Sequence, residues 1–216
     1  MSVGDTVVGA ARTPDRLDDL VSAYPDQVLP VELDVTDTRR DLEVVADVVA
    51  RYGRIDVLVN NAGRTQVGAL EETTEQELRA LFDLHFFGPA ALTRAVLPHM
   101  RRQGSGAVVQ MSSVGGQVTA PGFSAYCATK FALEGMTEAL SQEVDFGVRF
   151  LIVEPGAFRT GLFNPVRPTS RCRWQSTPPP SARPVTTWPA ATARNRVTPR
   201  RRPARSWPHS KHPRHH

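Results

Sequence analysis

Ile55-Asp56-Val57-Leu58-Val59-Asn60-Asn61-Ala62-Gly63 is an apolar run that stops abruptly in amide and small side chains. Its apolar residues do not alternate with polar ones, so the run fits a strand covered on both faces rather than on one. Similar runs lie on either side: residues 6–11 and 27–33 precede it, and residues 107–111 and 148–153 follow it. Pro30 in the second of these has no backbone N–H and favours a sheet edge. The segments between them carry helical signals. Pro14 opens a helix over 14–23, and Asp34-Val35-Thr36-Asp37 caps one over 37–52. Leu78, Leu81, Phe82, Phe86, Leu92, Val96 and Met100 recur every three or four residues and predict one long helix over 76–102. Another is predicted over 124–145.

Solid apolar strands, each followed by a helix, define an α/β protein with a doubly wound, Rossmann-like parallel sheet. This pattern predicts one domain over residues 1–164. Residues 165–216 are different in kind. They hold 12 of the 26 Lys and Arg, 11 of the 18 prolines and all three tryptophans, with no Asp, Glu, Gly, Leu, Ile, Phe or Met. Such a segment buries too little aliphatic surface to offset chain entropy, which predicts a disordered Arg/Pro-rich tail. The formal charge of +4 therefore conceals a body with 14 basic against 22 acidic residues. The basic excess belongs to the tail, so nucleic acid is not an expected partner of the body.

Other classes are excluded by composition. Two cysteines, Cys127 and Cys172, cannot build a disulfide framework, and no Cys/His spacing suggests a metal site. The longest uncharged stretch, 103–129, is rich in Gly, Ser, Gln and Thr, which would be costly in lipid. With no basic-then-apolar leader in view, the expectation is a cytoplasmic protein without a membrane partner.

Tyr126-Cys127-Ala128-Thr129-Lys130 carries the chemistry. On a helix Tyr126 and Lys130 stand four residues apart and share a face. An ammonium beside a phenol favours the phenolate and lowers its pKa, which suits proton exchange with an alcohol or ketone. Gln110-Met111-Ser112-Ser113 ends the preceding strand, and the carboxyl ends of strands are where open α/β sheets hold ligands. Ser113 lies 13 residues before Tyr126, with Gly115-Gly116 between. Asn60-Asn61-Ala62-Gly63 and Pro155-Gly156-Ala157-Phe158-Arg159-Thr160 also follow strands.

With these motifs in this order, the chain over residues 4–163 resembles the short-chain dehydrogenase/reductase family. The resemblance implies reduction of a carbonyl or oxidation of an alcohol with a nicotinamide cofactor, on a small-molecule substrate. It makes Tyr126 the proton donor or acceptor and Ser113 the group that orients the carbonyl. It gives Lys130 two tasks, lowering the phenol pKa and holding the ribose hydroxyls. Asp34 and Val35 would contact adenine, and Asn60, with Ala62 and Gly63, would lie near the adenosine half. Pro155 and Thr160 would complete the cofactor site, Thr160 at the nicotinamide amide. Arg12 follows Ala11 where NAD-preferring members carry an acid. A guanidinium suits a 2′-phosphate, so NADP is favoured and NAD is the alternative. A homo-oligomer through the helices 76–102 and 124–145 is also in keeping with the family.

Three departures qualify these expectations. The sequence has no Gly-rich turn to seat a pyrophosphate on a helix N-terminus, and it starts at what resembles the family's second strand. A central strand between 6–11 and 55–59 would then be missing. His85 stands where the family has Asn, and it is a candidate member of the proton relay. The tail replaces the substrate lid, as a frame change near 163–168 would do. Two other readings stand beside the enzyme: a catalytically impaired relic, and a nucleic-acid-binding module working through the tail.

Overall fold

The computed structural model describes residues 4–156 of the 216. Thr160, Cys172 and the tail over 165–216 lie outside the described residues.

The described residues form five strands, paired in parallel, and five α-helices, with one helix between successive strands except between the third and fourth, where there are two. The strands are β1 (Val7–Ala11), β2 (Val28–Glu32), β3 (Val57–Asn60), β4 (Gly106–Met111) and β5 (Val148–Val153). The helices are α1 (Asp18–Ala23), α2 (Thr38–Tyr52), α3 (Glu75–Phe82), α4 (Gly88–Gln103) and α5 (Ser124–Glu143). β1 pairs with β2 in register from Val7 opposite Val28 to Ala11 opposite Glu32. β4 lies between β3 and β5, with Val108 opposite both Leu58 and Phe150. Among the described residues no strand joins β1 to β3. The sheet is thus in two pieces, and the break falls where the sequence reading left out a central strand. It also explains why Val57 and Val59, read as buried, are each 54 % exposed.

Helix ends follow their side chains. The Asp37 carboxylate accepts the backbone N–H groups of Arg39 and Arg40 at 3.2 and 3.1 Å and starts α2. Val45 of α2, Leu92, Val96 and Met100 of α4, Val108 and Val148 form one core against the larger sheet. A second cluster of Leu81, Phe123, Ala125, Tyr126 and Cys127 packs beneath the end of β4 and α5. Asp41 of α2 is fully buried, and neither carboxylate oxygen has a hydrogen-bond partner among the described residues.

The long helix expected over 76–102 is interrupted. Asp83–Phe87 form a π turn between α3 and α4. The extra residue shifts the helical face by one position and buries His85, which is 1 % exposed. Immediately after it, Gly88 meets the loop following β2. A Cβ on Gly88 would overlap the Val35 carbonyl oxygen and lie 3.3 Å from the carbonyl oxygen of Asp83. Both obstacles are backbone. Gly88→Ala is therefore expected to destabilise the fold by about 1–3 kcal/mol, read as a lower urea midpoint with an unchanged slope. An unchanged midpoint would show that the Val35 loop yields freely.

Candidate active site

The end of β4 and the first two turns of α5 bring the chemistry together. Ser113 caps the turn Val114–Gly116, and its Oγ accepts the Gly115 N–H at 3.1 Å. The same hydroxyl hydrogen-bonds Tyr126. Tyr126 is 6 % exposed and its ring meets those of His85 and Phe123 edge-on, with centroids 5.6 and 6.4 Å apart. Lys130 sits one turn on, 5 % exposed, with Nζ 5.9 Å from the centre of the tyrosine ring. Its ammonium donates to the carbonyl oxygen of Met111 at 2.8 Å, which ties α5 to the end of β4.

The electrostatics differ from the sequence expectation. Burial pushes the Tyr126 phenol above its ordinary pKa, and the Ser113 hydrogen bond offsets this only in part. Lys130 does not reverse it, because its ammonium engages Met111 and stands off the ring. Burial likewise pulls Lys130 down to about 8, while the nearby Glu134 carboxylate acts in the opposite sense. The result is a protonated phenol beside an ammonium that loses its proton only slightly above neutrality.

His85 is held at both nitrogens. The Arg64 N–H donates to Nε2 at 3.2 Å, which makes Nδ1 the protonated nitrogen, 2.8 Å from Thr129 Oγ1. Thr129 in turn donates to the Tyr126 carbonyl at 2.7 Å. Burial first, then the charges of Lys130 and Arg64, depress His85 to about 3. The ring is neutral and joins the loop after β3 to the helix that carries Tyr126. Gly63 passes close by, since a Cβ there would lie 3.4 Å from Nε2.

The remaining candidates sit at strand ends. Asn60 is buried and its Nδ2 donates to Gln110 Oε1 at 3.0 Å and to Thr93 Oγ1 at 3.3 Å. Its Oδ1 is buried with no partner among the described residues. Ala62 follows in the same exposed loop as Gly63. Asp34 accepts from the Thr36 N–H at 3.0 Å and the Thr36 hydroxyl at 2.8 Å. These bonds, with Arg12 nearby, hold it below the usual carboxylate range despite some desolvation. Arg12 and Asp34 therefore share the open end of the β1–β2 pair. Val35 is fixed by its contact with Gly88. Pro155 accepts the Val114 N–H at 3.3 Å, joining the end of β5 to the serine turn. Thr160 lies outside the described residues.

A nicotinamide dinucleotide fits these residues at two places. One is the Ser113, Tyr126 and Lys130 cluster, where the ammonium keeps two N–H groups beyond its bond to Met111. The other is the orphaned Asn60 oxygen, which is open to a donor. No described residue provides a Gly-rich seat for the pyrophosphate. Three residues around the site escaped the sequence reading: Ser112, Gln117 and Glu134. Glu134 was signalled only by its place four residues after Lys130.

A parallel α/β sheet with a serine after one strand end, facing a tyrosine and a lysine on the helix that follows, fits a class of nucleotide-dependent enzymes. The family profile described as short chain dehydrogenase matches residues 1–171. The chain belongs to the short-chain dehydrogenase/reductase family. Oxidoreductase BOA17 of Botryotinia fuckeliana is 41 % identical over 159 residues, 73 % of this chain and 58 % of the relative. A 3-ketodihydrosphingosine reductase of Bacteroides thetaiotaomicron is 38 % identical over 160 residues, 74 % of this chain and 57 % of the relative. The solved structure of a short-chain dehydrogenase from Streptomyces avermitilis is 66 % identical, with a TM-score of 0.72, covering 75 % of this chain and 60 % of that one. A metagenomic short-chain oxidoreductase in complex with NADP is 30 % identical, with a TM-score of 0.68, covering 74 % of each chain. The chain spans rather more than half the length of these two curated relatives.

Proposed function

We propose that this protein is an NADP-dependent oxidoreductase that interconverts a carbonyl and a secondary alcohol. The observation that carries the reading is the contact of Ser113 with a buried, protonated Tyr126, one helical turn from the Lys130 ammonium. When bound, the nicotinamide supplies or takes the hydride. The protein's part is the proton. Ser113 donates a hydrogen bond to the substrate oxygen, and Tyr126 gives that oxygen its phenolic proton in the reductive direction. A phenol held above its ordinary pKa is in the right state to do so at neutral pH. Lys130 presents its two remaining N–H groups to the ribose hydroxyls. His85 acts as a brace rather than a relay, because both its nitrogens are engaged.

Arg12, exposed beside Asp34, is the group proposed to meet a 2′-phosphate, with Asp34 and Val35 at the adenine. Several solved structures similar to this chain are complexes with NADP, which supports the same choice here. Asn60, Ala62 and Gly63 would line the adenosine half, and Pro155 and Thr160 the nicotinamide end. The substrate is a small carbonyl or alcohol. Among the described residues no helix is long and apolar enough to cross a membrane, in keeping with the cytoplasmic placement we propose. Phe87 and Phe131 are exposed on the π turn and α5, as a homo-oligomer through these helices would require.

A second reading, a catalytically impaired family member, is favoured by one observation: among the described residues no strand joins β1 to β3. Fluorescence titration with NADPH and NADH separates the two. Micromolar NADPH affinity, preferred over NADH and losing that preference in Arg12→Glu, supports the first. Absence of binding up to millimolar nucleotide supports the second.

A further inference from the structure

We propose that Glu134 is a positioning residue of this site: its buried carboxylate, one helical turn beyond Lys130, clamps both ends of the turn that carries Ser113. The inference rests on the oxidoreductase reading and adds to it a residue that sets the geometry of Ser113 and the charge of Lys130.

Tyr126, Lys130 and Glu134 follow one another at four-residue spacing on one face of α5. Each grips the segment 111–117 at a different point. Tyr126 holds Ser113, and Lys130 holds the Met111 carbonyl. Glu134 takes the rest: Oε1 accepts the Ser112 hydroxyl, and Oε2 accepts the Gln117 side-chain N–H. Ser112 and Gln117 are the residues on either side of the stretch 113–116, so one carboxylate fixes both ends of it. Gly116 makes this approach feasible. A Cβ there would overlap Glu134 Oε1 and lie 2.6 Å from Ser112 Oγ. An ionised carboxylate meets both partners as an acceptor; burial first, then the charges of Glu154 and Glu138, push the Glu134 pKa up, and the hydrogen bonds from Ser112 and Gln117 act against that rise.

Glu134 is 5 % exposed and forms no ion pair among the described residues. A buried carboxylate with no salt bridge is a poor choice for packing alone. Its negative charge does face Lys130, where it resists the loss of the ammonium proton that burial promotes. The other charges that face Glu134 are Glu138 on the same helix and Glu154 after β5, both repulsive. His85, on the π turn, faces Lys130 but is neutral.

Lys130 and Lys211 are the only lysines in the sequence, so the ammonium can be followed directly. The test is a carbon-13 NMR pH titration of lysine side chains in the full chain, with Lys211→Arg assigning the second signal. Glu134→Gln is expected to lower the Lys130 midpoint by about half a pH unit or more. Ser112→Ala removes one donor and leaves that charge in place. It is expected to keep the midpoint but speed hydrogen exchange at the Gly115, Gly116 and Gln117 amides by roughly fivefold to tenfold. This variant carries the test if Glu134→Gln fails to fold. An unchanged Lys130 midpoint in Glu134→Gln, or unchanged exchange in Ser112→Ala, would overturn the proposal. Turnover separates this from the underlying reading. Wild-type protein that transfers no hydride counts against the oxidoreductase reading while both NMR readouts stand. Wild-type kcat retained in Glu134→Gln counts against the positioning role alone.

Discussion

Tyr126→Phe is expected to reduce carbonyl turnover by about 10²–10⁴-fold, the range for removal of a well-placed general acid. In free energy this is roughly 3–5 kcal/mol of transition-state stabilisation. The substitution is clean because the ring is held by packing. It sits edge-on against His85 and Phe123 and contributes to the buried cluster with Leu81 and Cys127. Only the hydroxyl and its bond to Ser113 are lost. Nucleotide affinity should change little, since Lys130 keeps its bond to Met111. Turnover measured as NADPH consumption with a carbonyl substrate checks this. Retained turnover would mean that another group supplies the proton. The Cys127 thiol is a poor substitute, because it is buried and its Sγ–H is directed at the carbonyl oxygen of Val118.

Asp41→Val should stabilise the fold by about 2–4 kcal/mol at pH 8 and by progressively less as the pH falls towards 4. Burial, followed by repulsion from Asp37 and Asp34, raises the Asp41 carboxyl from 3.8 to about 7. At ~1.4 kcal/mol per pKa unit, ionising it in the folded state costs up to about 4 kcal/mol. The folded chain binds this proton more tightly than the unfolded chain does. Stability from it is fully present below 3.8 and is lost as the pH rises through about 7. His85 has the opposite sign. Its folded pKa of about 3 lies below the ordinary imidazole value of 6.5, so its contribution is present above 6.5 and lost as the pH falls towards 3. Between about 4 and 6.5 the two slopes oppose each other, so their joint contribution to wild-type stability is nearly flat there. Asp41→Val leaves the histidine slope alone, and stability should then climb with pH across that window. Chemical denaturation at pH 4, 5, 6 and 8 reads both effects. A variant no more stable than wild type at pH 8 would show that water or a cation reaches the carboxylate.

The strands were legible because a parallel sheet needs apolar side chains on both faces, and β3, β4 and β5 are mostly apolar without regular polar alternation, with Gln110 and Arg149 as the polar interruptions in β4 and β5. The placing of Ser113, Tyr126 and Lys130 was legible for a similar reason. Strand end, glycine turn and helix leave little freedom in a four-residue spacing. The π turn was not legible, since Phe82 and Phe86 keep a helical spacing through it and nothing in that pattern betrays one extra residue. The direction of the Tyr126 shift was also missed. Sequence gives the identity of a charged neighbour but not the desolvation that outweighs it, nor the Met111 carbonyl that holds the ammonium off the ring. Glu134 and Asp41 show the same limit. One is a buried carboxylate with two donors and the other a buried carboxylate with none, yet along the chain both read as ordinary helix acids.

The most direct test of the central claim is deuterium transfer. The chain would be incubated with NADPH deuterated on the transferring face of the nicotinamide ring and a panel of small ketones and aldehydes, and the alcohols analysed by mass spectrometry. The expected result is deuterium on the carbinol carbon of at least one alcohol, formed by wild-type protein and not by Tyr126→Phe. Nucleotide that binds but delivers no deuterium to any carbonyl, or equal delivery by Tyr126→Phe, would contradict the role assigned to Ser113, Tyr126 and Lys130.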